Sequence, residues 1–189
     1  MSARSLVLSV VLSLVAGDAW AFSVRMAGNE VSRWESPLVQ YYIQYLGSDD
    51  LGPEVSVATI EAAFASWEEI SCSNLVFEQM GDQPNPKASL LTESPPNGQN
   101  DVVWVEDSDW TLGGSVLGVT APLTNAEGHI YEADIAFNGY LLTFTTSGNG
   151  GTDLQSVAAH EIGHMFGLQH NLGPYSWKDP PTMAPTIAP

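Results

Sequence analysis

The amino-acid sequence predicts an α+β fold, on three observations. Apolar residues alternate over residues 38–46, they recur at three- and four-residue spacing over 56–70, and the string HEIGHMFGLQH at 160–170 holds three of the chain's four histidines. In LVQYYIQYL, Val39, Tyr41, Ile43 and Tyr45 share one face and Gln40, Tyr42 and Gln44 the other, the pattern of a strand with one buried side. GSDDLGP then breaks the run. SVATIEAAFASWEEI places Ile60, Ala63, Phe64, Trp67 and Ile70 on one helical stripe. NLVFEQM (74–80) reads as the next strand, and the span 81–100, rich in Pro, Gly and Asn, as a loop. DVVWV (101–105) and HIYEADIAFN (129–138) are further strands, the last closing on an Asn-Gly turn signal. With 189 residues, no internal repeat and no long linker, the chain predicts one domain.

Charge narrows the function classes. Five Lys and Arg stand against 22 Asp and Glu, a formal net charge of −17. Such a surface repels phosphate backbones and anionic membranes, so neither nucleic-acid binding nor stable membrane association is expected. The acidity fits an exported protein kept soluble by charge, or a preference for cationic partners. Residues 1–21 read as a signal peptide: Arg4 gives the positive start, SLVLSVVLSLVA (5–16) the apolar run, and Ala19-Trp20-Ala21 the small-x-small cleavage site. The run is too short to span a bilayer. Its removal leaves residues 22–189 as the mature domain, secreted or periplasmic. Cys72 is the only cysteine, so no intramolecular disulfide forms; its place between a helical and a strand-like run predicts a small buried thiol.

The histidine string belongs on a helix. Thr152 stands three residues ahead of Gln155, a capping-box pattern, and no proline interrupts the residues that follow, so the helix is expected from about Asp153 to Phe166. At 3.6 residues per turn His160 and His164 fall about 40° apart on one face, and both imidazoles reach one ion. Glu161 lies on the neighbouring strip, close to where a metal-bound water would sit. On a continued helix His170 would point away, about 240° round from His164. Gly167 solves this, because glycine accepts the left-handed conformation that ends a helix and redirects the chain. Three histidine nitrogens with a fourth position open describe a catalytic zinc site.

The string H-E-x-x-H-x-x-G-x-x-H is the metzincin metalloprotease signature, and His160, Glu161, His164, Gly167 and His170 match it position for position. The sequence therefore resembles the metzincins, and within them the secreted, bacterial-type matrixins. Met183 in PPTMAPTIAP fits the family's methionine turn, TMAPT resembles the matrixin wall of the specificity pocket, and EADIAFNG resembles the edge strand that holds substrate. The resemblance covers roughly residues 38–189. It implies a twisted mixed sheet, a first amphipathic helix, a zinc-binding helix followed by a Met-turn, and a monomer of one catalytic domain acting on peptide or protein substrates. Asn171 follows the third histidine where matrixins commonly carry Ser or Thr, a cysteine-switch motif is absent from the sequence, and six residues follow Met183 where the family normally continues into a closing helix, so either a fragment or a minimal form is expected.

These observations predict a secreted zinc endopeptidase in which His160, His164 and His170 hold Zn2+, Glu161 is the general base, and Gly167 and Met183 shape the site. A zinc-containing, peptide-binding pseudoprotease without turnover is the alternative; digestion of casein with and without chelator separates them. Pro185 lacks a backbone donor and fixes its own φ, which predicts a stiff wall at MAPTI and an apolar substrate pocket lined by Pro185, Ile187 and Tyr175. The oxygen-rich loops GSDD (47–50), EDSD (106–109) and SGNGGTD (147–153) are candidate Ca2+ sites.

Overall fold

The computed structural model describes residues 23–83, 96–174, 176, 178 and 180–185. The expected signal peptide, Tyr175 and Ile187 lie outside them. Four short strands come first, β1 (Ser23–Val24), β2 (Met26–Ala27), β3 (Glu30–Val31) and β4 (Arg33–Trp34). The main elements follow as β5 (Leu38–Gln44), α1 (Gly52–Glu68), β6 (Val76–Gln83), β7 (Asp101–Val105), β8 (Gly118–Thr124) and β9 (His129–Asn138). β10 (Phe144–Thr145) and β11 (Thr152–Asp153) lead into α2 (Leu154–Met165), and β12 (Leu168–Gln169) follows it. The result is the expected α+β domain, with two helices against a mixed, mostly parallel sheet.

The six-stranded sheet runs β4-β9-β7-β5-β6, with β8 on the remaining side of β9. β5, β6, β7 and β9 are parallel, and β8 alone is antiparallel to its neighbour. The two helices pack on one face over Val39, Tyr41, Ile43, Val102, Trp104, Ile135 and Phe137, while Val103, Ala136 and Trp110 form a small core on the other. β9 is therefore buried on both sides from Glu132 onward, and its buried polar side chains are hydrogen-bonded: Glu132 accepts from Gly98 N–H, Asp134 from Asp101 N–H, and the Asn138 amide donates to the Val116 carbonyl.

The position of β9 corrects one expectation. EADIAFNG is not an edge: Val102–Val105 of β7 pair with Ile135–Asn138 on one side, and β8 pairs with β9 on the other. The edge beside α2 is β8, whose sequence GVTAPLT conceals a strand behind Gly118 and Pro122. Asn138 N–H donates to the carbonyl of Leu117, which makes Gly118 and Phe137 a non-hydrogen-bonded pair. By alternation the Pro122 nitrogen also points to the open side, where a missing donor costs no ladder bond.

Other differences have local causes. α1 begins at Gly52 because Pro53 fits the first turn of a helix, and it ends at Glu68, so Ile70 is exposed rather than part of the buried stripe. The same early ending leaves Cys72 in a surface turn, exposed rather than buried. β5 stops at Gln44, whose buried side chain accepts from Trp104 N–H at 2.6 Å, and Tyr45 turns outward. β6 starts and ends later than expected, with Gly81 at φ 120° where the β5–β6 register shifts.

Candidate metal centre and cleft

The zinc-motif helix is positioned at both ends. Asp153 is its cap, with extended backbone and a carboxylate that accepts from Ser156 N–H at 2.8 Å, so the capping pattern expected from Thr152 and Gln155 is replaced by one centred a residue later. Leu154, Val157, Ala158, Ile162 and Met165 face the core. From α1, the Trp67 indole donates to the carbonyl of Ala159 at 2.8 Å. Phe166 closes α2, and Gly167 takes φ 86°. Glycine is required there twice over, since a Cβ would also lie 2.6 Å from the carbonyl oxygen of Ser32.

This turn brings the three histidines together. His170 Nε2 lies 3.1 Å from His160 Nε2 and 3.1 Å from His164 Nε2. The Nδ1 of His160 lies 2.7 Å from the Thr182 carbonyl and that of His164 2.8 Å from the Leu168 carbonyl. Carbonyls only accept, so both Nδ1 atoms carry the proton and both Nε2 atoms present lone pairs to the shared point. Burial, opposed by the Thr182 carbonyl, pushes the His160 imidazole down to about 4, and burial likewise lowers His164. Neutral imidazoles are the ligand form. A tetrahedral ion at ordinary zinc–nitrogen distances separates its ligands by about 3.3 Å, close to the spacing observed, so the donor set fits zinc in element, protonation and geometry.

Met183 closes the site from below. Its carbonyl accepts from Asn171 N–H at 2.6 Å, Thr182 supplies the partner of His160, and Ala184 N–H donates to the Pro181 carbonyl in the same turn. The Met183 sulfur fills the space that a Cβ on Gly163 would take. Gly163, inside the motif at a position the signature leaves free, is therefore a packing requirement that pattern matching does not reveal.

Glu161 is buried beside the histidines. Its Oε2 accepts from the Thr120 hydroxyl at 2.8 Å, and burial, opposed by that hydrogen bond, pushes its carboxyl up to about 7. Thr120 and Gly118 come from β8. A Cβ at Gly118 would stand 3.0 Å from Glu161 Cγ, so the glycine makes room for the carboxylate. Neither residue carries a sequence signal, because the contact joins β8 to α2 only in the folded chain.

A cleft of about 390 Å³ opens over these groups, lined by Ser115, Leu117, Gly118, Val157, Ala184 and Pro185 together with His160, Glu161 and His170. Among the described residues His160, His164 and His170 are the one group of three or more His, Cys, Asp and Glu side chains placed to share an ion, and no such group gathers in the candidate calcium loops. The loop carboxylates are occupied with backbone instead, Asp50 with Phe144 N–H, Glu106 with Asp49 N–H and Asp107 with Asp109 N–H.

The matrixin family model matches residues 33–186. The chain belongs to the matrixin family. Matrixins are metallopeptidases with a catalytic zinc, and the His160, His164 and His170 group could hold a metal ion. Similar proteins include stromelysin-3 of Mus musculus, 47% identical over 58 residues, and of Xenopus laevis, 46% over 59. Human stromelysin-3 is 45% identical over 58 residues. Each match covers 31% of this chain and 11% of the stromelysin-3 chain.

Proposed function

We propose that this matrixin is a secreted zinc endopeptidase, with His160, His164 and His170 as the metal ligands and Glu161 as the general base. The observation that carries the reading is the Glu161 carboxylate beside three convergent Nε2 atoms, held by Thr120 at 2.8 Å on the wall of an open cleft. Bound zinc supplies Lewis acidity toward the scissile carbonyl and water. Glu161 takes a proton from the water as its oxygen bonds to the carbonyl carbon, and returns it to the amine nitrogen as the C–N bond breaks. The Thr120 hydroxyl fixes one carboxylate oxygen and leaves the other for this exchange. Gly118 and Thr120 turn their backbone groups toward the open side of β8, and an extended peptide laid along that edge completes the sheet. Export is supported by the leader-like residues 1–21, and no described helix is long and apolar enough to cross a membrane.

The test is casein digestion by the purified protein, with zinc content measured alongside. Activity lost to chelator and restored by zinc is expected. Glu161→Ala keeps one equivalent of zinc and loses at least about 10²-fold in activity; a variant that digests as wild type removes Glu161 from the mechanism.

A further inference from the structure

The earliest described residues lie against the turn that carries the third histidine. Ser23 and Val24 pair antiparallel with Gln169 and Leu168. Arg25 N–H donates to the Gly167 carbonyl at 2.6 Å, and the Ser23 hydroxyl donates to the carbonyl of His170 itself at 3.1 Å. The chain then doubles back: Ser32 N–H donates to the Arg25 carbonyl at 2.8 Å, and the Trp34 indole donates to the Met165 carbonyl at 3.0 Å. One segment thus engages the carbonyls of Met165, Gly167 and His170. Met165 is the last residue of α2 and the other two follow it, where helical carbonyls have lost their own partners and the chain leaves the helix through the left-handed Gly167.

We propose that Ser23–Arg25 is a positioning strap for the metal-binding turn, acting on His170 through its main chain. The proposal rests on the reading of the three histidines as a zinc site. α2 fixes the backbones of His160 and His164, whereas His170 lies beyond Gly167, directly after the two-residue strand β12, whose ladder partner is the strap. With the strap in place the His170 imidazole stays within reach of the other two. Without it the turn gains backbone freedom, and His170 becomes the ligand that leaves first. N-terminal processing that retains Ser23 keeps a tight site, and trimming beyond Arg25 loosens it.

The experiment follows zinc release from the full-length secreted protein into excess chelator, with melting of the metal-free form as a control on folding. Arg25→Pro removes the N–H donated to Gly167, whereas Arg25→Ala keeps it. Ser23→Ala removes the hydroxyl, whereas Ser23→Thr keeps it. Loss of an outer hydrogen bond to a zinc ligand typically costs at least about tenfold in metal affinity; R25P and R25A both lose the guanidinium whose charge acts on His164, so R25P releases zinc about tenfold faster than R25A, and S23A about tenfold faster than S23T. Indistinguishable release rates across all four, with one equivalent of zinc bound, overturn the strap and leave the site reading intact. Lower metal-free melting without faster release also overturns it, as a purely structural role. Wild-type protein that takes up no zinc removes the site reading and the strap with it. Should R25P fail to fold, S23A against S23T decides alone.

Discussion

The sulfur of Met183 lies against Gly163, in the space that a side chain at that position would occupy. The contact ties the turn below the cleft to the middle of α2, and the Met183 carbonyl ties the same turn to Asn171, next to His170. Gly163→Ala forces the sulfur to move, and overpacking of this kind costs about 1–3 kcal/mol. Met183→Ala vacates the space. Urea melts of the two single variants and the double variant therefore give a cycle in which the double costs less than the sum of the singles. Additive costs would show that the two residues do not share the space.

Thr120 holds Glu161, the proposed general base, through its carboxylate. Thr120→Val leaves a buried carboxylate oxygen without its donor, a loss of about 1.5–3 kcal/mol for a hydrogen bond to a charged group. The expected result is kcat lowered by about tenfold or more at unchanged zinc content, with Thr120→Ser close to wild type. An unchanged kcat in T120V would mean that Glu161 keeps its orientation unaided.

Stability against pH has a defined sign at Glu106. Burial raises its carboxyl above the ordinary 4.5, the Asp49 N–H opposes this, and the charges of Asp49 and Asp50 add to the rise. The folded state then binds this proton more readily than the unfolded chain, so stability from this group falls as pH rises through the range above 4.5. Glu106→Gln keeps a carbonyl oxygen for Asp49 and removes the charge. Its melting temperature should exceed that of wild type at pH 8, with the gap closing toward pH 5. A gap that is constant or reversed contradicts the assignment.

Specificity is expected to follow the cleft wall. Leu117, Val157 and Ala184 are apolar and Pro185 stiffens the outer side, which favours Leu, Ile, Phe or Met just after the cut. Val157→Phe fills the floor and should shift cleavage toward smaller residues at that position. Mass-spectrometric mapping of a digested peptide library reads both, and a preference for Asp, Glu or Gly in the wild type would exclude this pocket.

The zinc helix was legible because its information is local. His160, Glu161 and His164 fall on one stretch of helix, and Gly167 announces the turn that returns His170. β5, β7 and β9 were legible for the same reason, their alternation or apolar run being contained within each segment. β8 was not, since Gly118 and Pro122 are turn residues by composition and become strand residues only through pairing with β9. The edge was read at EADIAFNG and not at GVTAPLT because strand order is set by long-range pairing, which no single segment encodes. Thr120, Gly163 and Ser23 were invisible for a related reason: each matters through a partner on another element, Glu161, Met183 and His170 respectively. Cys72, Ile70 and Tyr45 misled because each sits just past the end of a regular element, where periodicity no longer predicts burial.

The proline in β8 also bears on the molecule's behaviour in concentrated solution. A bare strand edge beside a cleft is a template for any extended chain, including another copy of the same protein, and uninterrupted edges invite fibrous stacking. Pro122 offers a carbonyl but no N–H on that side, so the run able to take up a full ladder is confined to the stretch around Gly118 and Thr120. That length suits the few residues around a scissile bond in the proposed activity and falls short of what sheet-to-sheet growth needs, so the edge that would take up a peptide also discourages the protein from polymerising on itself.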